Sequence, residues 1–309
     1  MLGCRVVGCV IQSPAISRRV ASWALCAAAV VCALATGCRG GPNAAFTDLS
    51  EARQVAADLR VQFNRASDAS NRAVMADTDE ASVSFAREAD QMKVAVQTDV
   101  AALAPRLRNL DYAAEIQLLS AFQSHLAEYD KIDHDILELA VENTNLKAQR
   151  LSFGPAREAA DAFRDALAPL SAHASSKERC QVESLGARAV VAVREIQVLQ
   201  APHIAESDDS AMTRMEQQMN ALSVTARDAV NALPDLVEPD VRPLVATAVG
   251  ALDRFDGISK EIVTLSRHNS NVRSLELAIR RKPPIAAACD DSLRALQDAL
   301  AGETFKATR

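Results

Sequence analysis

The chain has 309 residues, enough for two domains of ordinary size, and its 49% hydrophobic content is too high for a disordered protein. Aromatic residues make up only 4% and there are ten glycines, which leaves little for hairpins or barrels and points to helices packed through small aliphatic side chains. The net charge of −6 argues against a nucleic-acid partner, which needs a basic face to displace counterions.

Residues 1–37 read as a signal peptide and are set apart from the fold. Arg18 and Arg19 flank an apolar or small-residue run, Val20 to Thr36, whose 17 residues fall short of the roughly 20 that a spanning helix needs. The run ends in Leu34-Ala35-Thr36-Gly37-Cys38, which resembles a bacterial lipobox, with Ala35 where Leu is commonest. The resemblance implies that Cys38 becomes the lipidated N-terminus and that the body sits outside the cytoplasm, anchored to a membrane. Arg39 stands where an Asp would hold a Gram-negative lipoprotein at the inner membrane, so the outer membrane is favoured in such a host. The alternative is an uncleaved signal anchor. Loss of residues 1–37 removes three arginines (Arg5, Arg18, Arg19) and lowers the charge from −6 to −9. Beyond Cys38 only Cys180 and Cys289 remain; a bridge between them is permitted outside the cytoplasm, but a single buried thiol is the favoured reading of Cys289.

Residues 38–46, with Gly40-Gly41-Pro42-Asn43, form a tether. Ala52, Val55, Leu59, Phe63 and Ala66 recur at steps of three and four, which predicts a first helix to about Ala76. Asp77-Thr78-Asp79 caps a second, with Phe85, Ala89, Met92, Val96, Val100 and Leu103 on one face, and Pro105 with Asn109 to Asp111 marks the next turn. A long third helix carries Ile116, Leu119, Phe122, Leu126, Tyr129, Ile132, Ile136, Leu139, Asn143 and Leu146, and Gly154-Pro155 is expected to stop it. The fourth carries Ala159, Phe163, Leu167 and Leu170, interrupted by Pro169. Ser171 to Ser176 is the seam, and the pattern then begins again. A fifth helix bears Leu185, Val193, Ile196 and Leu199, and Pro202 with Ser207 to Ser210 makes a turn. A sixth bears Met212, Met215, Met219, Leu222 and Val230. A seventh follows Pro243, and Pro283-Pro284 starts an eighth with Ile285, Cys289, Leu293 and Leu296.

The repetition is literal. Tyr129 to Leu151 (YDKIDHDILELAVENTNLKAQRL) aligns without a gap on Phe255 to Leu277 (FDGISKEIVTLSRHNSNVRSLEL), an offset of 126 residues. The expected fold is all-α: an elongated antiparallel up-and-down bundle built from two tandem four-helix repeats, 47–172 and 173–309, with apolar seams pairing within each repeat.

Asn-Thr-Asn-Leu-Lys-Ala-Gln-Arg-Leu-Ser-Phe-Gly-Pro-Ala-Arg, followed by an Ala-rich helix with Phe163 and Leu167, resembles the periplasmic four-helix-bundle sensory domain of methyl-accepting chemotaxis receptors. The likeness covers roughly 111–170 and again 237–300. It implies a helical extracytoplasmic sensor that binds small molecules or partner proteins and often forms homodimers. The chain departs from that family after the bundle: no second spanning helix, linker domain or cytoplasmic coiled coil follows. No ligand-contacting residue of the family maps onto this sequence.

Asn143 and Asn269 are the candidate polar positions, in the core or at a bundle tip. Each lies on an apolar stripe and suits either an interior ligand patch or, preferably, the fixing of helix register or a tip cap. Asn145 and Asn271 lie off the stripe and are expected in solvent. Asp130, His134 and Glu138 share a helix face at metal-ligand spacing, but the second copy has Asp256, Lys260 and Thr264 there, and a solvated acidic face is favoured. Met212, Met215 and Met219 read as core. Arg60, Arg65 and Arg72 are expected to pair with surface carboxylates. No nucleophile–base set, phosphate loop or paired-Cys motif is present, so neither catalytic residues, nor a cofactor, nor a metal is expected. The partners expected are a membrane through the lipid, and a small-molecule ligand or an envelope protein.

Overall fold

The computed structural model describes residues 42–303, with side chains from residue 44 onward. Cys38 and the signal segment lie outside the described residues, and residues 42–46 of the expected tether are instead the first turn of a helix, which a proline can begin. Among the described residues there is no strand, and the all-α bundle expected from composition and periodicity is what forms.

The long helices are α1 (Pro42–Val74), α2 (Asp79–Asn109) and α3 (Ala113–Glu142). Two short ones follow, α4 (Thr144–Leu151) and α5 (Arg157–Leu167), joined by a π-helical turn at Ser152–Ala156. The second half repeats the order: α6 (Arg179–Ala205), α7 (Asp209–Asn231), α8 (Arg242–His268), α9 (Ser270–Glu276), a π turn at Leu277–Arg281, and α10 (Lys282–Gly302). Thr78 caps α2 by accepting from the Ala81 amide, and Asp208 caps α7 by accepting from Ser210 and Ala211.

Prolines mark fewer breaks than expected. Pro105 and Pro202 lie inside α2 and α6. Gly154-Pro155 does not stop the third helix either. The wider π turn takes up the missing proline amide, and the rod runs on through α5. Its counterpart at Leu277–Arg281 likewise carries α9 straight into α10 past Pro283 and Pro284. The real breaks fall at Asn143 (φ 51°, ψ 38°) and Asn269 (φ 58°, ψ 35°). Both are left-handed, a conformation that Asn tolerates better than most residues.

Those two breaks decide the architecture. The expectation that each repeat packs with itself is not met: the repeats exchange their fourth helices. One bundle consists of α1, α2, α3 and α10; the other of α5, α6, α7 and α8. The first core joins Leu59, Phe63, Phe122 and Tyr129 to Cys289, Leu293 and Leu296 of the far end of the chain. The second joins Phe163 and Leu167 to Ala189, Ile196, Ala248 and Phe255. Ion pairs agree. Arg60 of α1 holds Asp290 of α10 at 2.7 Å, and Arg194 of α6 holds Asp161 of α5 at 2.6 Å. The domains at 47–172 and 173–309 are therefore sequence repeats but not packing units.

Side-chain volumes explain the exchange. At positions 126 apart, the first bundle has Phe63, Phe122 and Tyr129 where the second has Ala189, Ala248 and Phe255. The exchanged helices compensate: small Cys289 enters the aromatic-rich bundle and large Phe163 the alanine-rich one. Unexchanged, Phe163 would crowd three rings and Cys289 would leave a void against two alanines. Phe63 meets Phe122 and Tyr129 edge-on, at centroid distances of 6.0 and 5.0 Å.

Candidate functional site

Three polar features interrupt this apolar frame. The first joins the two bundles, where a residue and its own repeat counterpart meet. The Thr144 amide donates to Ser270 Oγ and the Ser270 amide to Thr144 Oγ1, both at 3.0 Å. The Asn145 amide donates to Asn271 Oδ1 and the Asn271 amide to Asn145 Oδ1, both at 3.1 Å. Glu142 faces His268, its counterpart, at 2.6 Å. Reciprocal contacts of this kind define a local two-fold axis, as in a symmetric dimer. Helices α4 and α9 start head to head, and each supplies acceptors for the other's orphan amides. The two positive helix ends would otherwise oppose each other.

Asn143 and Asn269 both lie at this axis, each as the left-handed residue between two helices and with no side-chain cap hydrogen bond to the helix that follows. Asn143 Oδ1 accepts from Asn271 Nδ2 at 2.9 Å, and Asn269 Oδ1 accepts from Asn145 Nδ2 at 2.7 Å. Asn145 and Asn271, expected in solvent, are instead the centre of the network; Asn145 is buried and its amide nitrogen also reaches the Ile204 carbonyl at 2.6 Å. They leave the α3 and α8 stripes because the left-handed residue before them re-aims the helix.

The second feature is a charge cluster inside the first bundle. Asp133, fully buried, accepts from Lys93 and Lys282, each at 3.1 Å. Lys282, 2% exposed, also reaches Ser70 Oγ at 2.7 Å, Asn71 Oδ1 at 3.1 Å and the Ser67 carbonyl at 3.3 Å. Burial lowers the Lys282 pKa, against the pull of Asp133. For Lys93 burial acts the same way, but Asp133 and Asp90 together outweigh it and its pKa is raised. Burial also pushes the neighbouring Tyr129 hydroxyl upward. This cluster ties α1, α2, α3 and α10 together.

The third feature occupies the equivalent place in the second bundle. Counterparts of Lys93, Asp133 and Lys282 are Met219, Ser259 and Ala156, so these three positions supply no ion pair to the second bundle. Helix α7 lies closely along α6 and only loosely along α8, and a cleft of about 630 Å³ opens between α7 and α8. Ile196, Met219 and Val263 form its apolar floor; Asn220, Ser223, Ser259, Lys260 and Thr264 supply polar groups. Two ionic clasps close its ends. Arg227 spans to Asp253 at 2.6 Å and Asp256 at 2.5 Å. At the other end Arg267 holds Glu216 at 2.5 Å, and Glu216 also meets the buried His203 at 2.9 Å. Hydrogen bonds from Arg267 depress the Glu216 pKa below the usual carboxylate range, and those to Asp256 raise that of Arg227. Below the floor, Gln200 links Ser152 at 2.7 Å and Ser259 at 3.1 Å.

A further depression of about 480 Å³ on the outer side of α6 and α7 is lined by Val198, Leu199, Ala221 and Leu222 with Glu195 and Gln218 at its edge. It lacks converging polar groups.

Asn143 and Asn269 do not line the α7–α8 cleft. Asp256, Lys260 and Thr264 do, the face whose first copy has metal-ligand spacing. In that first copy His134 and Glu138 are exposed, with 4.0 Å between their nearest atoms. No group able to hold a metal occurs among the described residues. Cys180 is exposed and Cys289 buried, and both are free. Of the three arginines expected to pair with carboxylates, Arg60 and Arg72 do so, and Arg65 has no ion pair among the described residues. Sequence reading missed the cleft itself, although the loss of Lys93 and Asp133 from the second copy signalled it.

The chain matches no protein-family model, no curated protein and no solved structure.

Proposed function

We propose that this is a lipid-anchored extracytoplasmic bundle that binds a small ligand and passes the signal to a partner protein, related in kind to chemoreceptor ectodomains. The observation that supports it is the asymmetry between the two bundles. At equivalent positions one seam is zipped by Lys93 and Asp133, and the other has Met219 and Ser259 beside a cleft, its ion pairs displaced to the cleft's two ends. A seam that is only structural gains nothing from being open, since buried apolar area is what holds helices together. No helix among the described residues is long and apolar enough to cross a membrane. In this reading the membrane contact is lipid on Cys38, and Arg39 favours the outer membrane of a Gram-negative host.

A thermal-shift screen with amino acids, organic acids and metal ions tests the binding reading. Stabilisation by one chemical class is expected, because ligand that binds only the native state raises its stability. The absence of any shift would reject small-molecule binding. Mass spectrometry of membrane-extracted protein tests the anchor; a mature N-terminus other than Cys38 rejects it.

One observation favours a second reading, an adaptor that docks another envelope protein. Val191 and Val198, seven residues apart on one face of α6, are exposed, as is Val224 of α7, and Val198 lines the 480 Å³ depression. Crosslinking in membranes followed by pull-down tests it. One dominant protein partner, retained in the absence of small molecules, is the expected result.

A further inference from the structure

We infer that the occupant of the α7–α8 cleft is a small organic monocarboxylate with an apolar body. The inference rests on the ligand-binding reading above and names the class of ligand. Four observations carry it.

The charges around the cleft are already matched, with one exception. Glu216 is held by Arg267, and Asp256 by Arg227 and Ser223. Arg227 is in turn satisfied by two carboxylates. The Lys260 ammonium is exposed at the cleft wall and has no side-chain partner among the described residues. A ligand that brought a second cation would add to that charge; one that brought a carboxylate would pair it.

The floor is apolar. Ile196 and Met219 are buried and Val263 half-buried, on three different helices. They offer a hydrocarbon body a surface that water solvates poorly, and Met219 can adjust to its shape. Polar groups accompany this floor and unpaired charge stands at one point, Lys260, the usual division in pockets for small amphipathic molecules. The volume of about 630 Å³ lies within the ordinary range for such sites, roughly 300–1,000 Å³.

Asn220, on the facing helix α7, provides a neutral donor and acceptor to the same cleft as Lys260. Its side chain is likewise without a partner among the described residues. An amide and an ammonium together match the two oxygens of one carboxylate.

The first bundle supplies the closing contrast. There an internal carboxylate, Asp133, lies between helices and is held by Lys93. In the second bundle the internal acid is replaced by Ser259 and the internal base by Met219, while a cation appears one position later at Lys260, where the first copy has His134. The carboxylate that the first bundle carries in its own chain would be delivered to the second by the ligand.

Isothermal titration of the full-length protein with hexanoate and phenylacetate, against hexanamide and hexylamine, tests this. Two variants localise the result. Lys260→Gln removes the unpaired charge from an exposed position without touching the core. Met219→Lys with Ser259→Asp transplants the zip of the first bundle across the cleft, and circular dichroism checks its fold. Saturable binding of either acid is expected, weakened about tenfold or more by Lys260→Gln and abolished by the transplanted pair. Amide binding as tight as acid, or acid binding unchanged in Lys260→Gln, overturns the assignment of ligand class. Acid binding that persists in a folded Met219→Lys, Ser259→Asp protein overturns the assignment of site while leaving a ligand-binding protein. If the acids fail but another class shifts the thermal transition, this inference falls alone; if nothing binds, both fall.

Discussion

Thr144 and Ser270 occupy the same position of two repeats, and each accepts the other's backbone amide at 3.0 Å. Only a residue on a two-fold axis can meet its own counterpart in this way. The tandem halves are thus related as the subunits of a domain-swapped dimer, fused into one chain. Most of what can be tested follows from that relationship.

Cleavage in the 174–178 connection should leave the molecule assembled. Each bundle holds one helix from the other half, so separating the fragments would expose both cores. A nicked protein is expected to elute at its intact size under native conditions and to run as two fragments only after denaturation. Separation without denaturant would show that each repeat packs with itself.

Cys289→Phe, which makes the eighth predicted helix resemble the fourth, should destabilise the protein. The ring would enter a core already holding Phe63, Phe122 and Tyr129, and overpacking of this kind costs roughly 1–3 kcal/mol. Urea denaturation measures it. In an unexchanged arrangement the residue would face Ala189 and Ala248, and the same substitution would be tolerated.

The two remaining thiols should differ sharply in reactivity. Cys180 is exposed; Cys289 is fully buried, and burial pushes its thiol up to about 12. Thiolate, not thiol, is the nucleophile. A body lacking the lipidated residue is expected to titrate one thiol with an aromatic disulfide reagent at neutral pH, and two after unfolding. Two fast thiols in the native state would contradict the packing of α10.

Asn269→Ala should cost about 2–4 kcal/mol, combining the left-handed backbone penalty with the loss of buried hydrogen bonds to Asn145 and Glu206. Asn269→Gly keeps the backbone conformation and should cost about half as much, roughly 1–2 kcal/mol. Asn143→Ala is expected to be milder than Asn269→Ala, because Asn143 Nδ2 already lacks a partner. Chemical denaturation of the three variants gives the order; equal effects of Ala and Gly would remove the conformational explanation.

Asp133→Ala leaves the buried Lys282 ammonium without its carboxylate, and the half-buried Lys93 with Asp90 alone, and should cost about 3–5 kcal/mol. Lys282→Met leaves the Lys93–Asp133 pair and should cost only about 1–2 kcal/mol at neutral pH. The pH dependence has a definite sign. Because the Lys282 pKa is lowered on folding, the unfolded chain holds more protons between the folded value and the ordinary 10.5. Stability from this group therefore rises with pH across that window. The deficit of Lys282→Met relative to the parent should accordingly grow as pH is raised toward that value. Lys93 is shifted the other way, so its contribution is present below its ordinary pKa and lost at higher pH still. A deficit that shrinks with rising pH would reverse the assignment for Lys282.

The helices, the repeat and the composition of each apolar stripe were legible in the order of the residues. Periods of three and four residues survive any rearrangement of helices, and the 126-residue offset was visible in Asn143-Thr144-Asn145 and Asn269-Ser270-Asn271. That order also held the evidence for exchange: Lys282 has a buried acid to meet at Asp133 but only Ser259 in its own repeat, and the sizes of Phe163 and Cys289 suit the opposite bundles. Which bundle each fourth helix reaches becomes readable only once the helices are packed. Periodicity is blind to that choice, since both fourth helices present similar stripes to either core. One left-handed residue, at Asn143 and again at Asn269, turns the chain across the axis. The cleft belongs to the same class of fact, because a gap between α7 and α8 is set by side chains on three helices that no local pattern brings together.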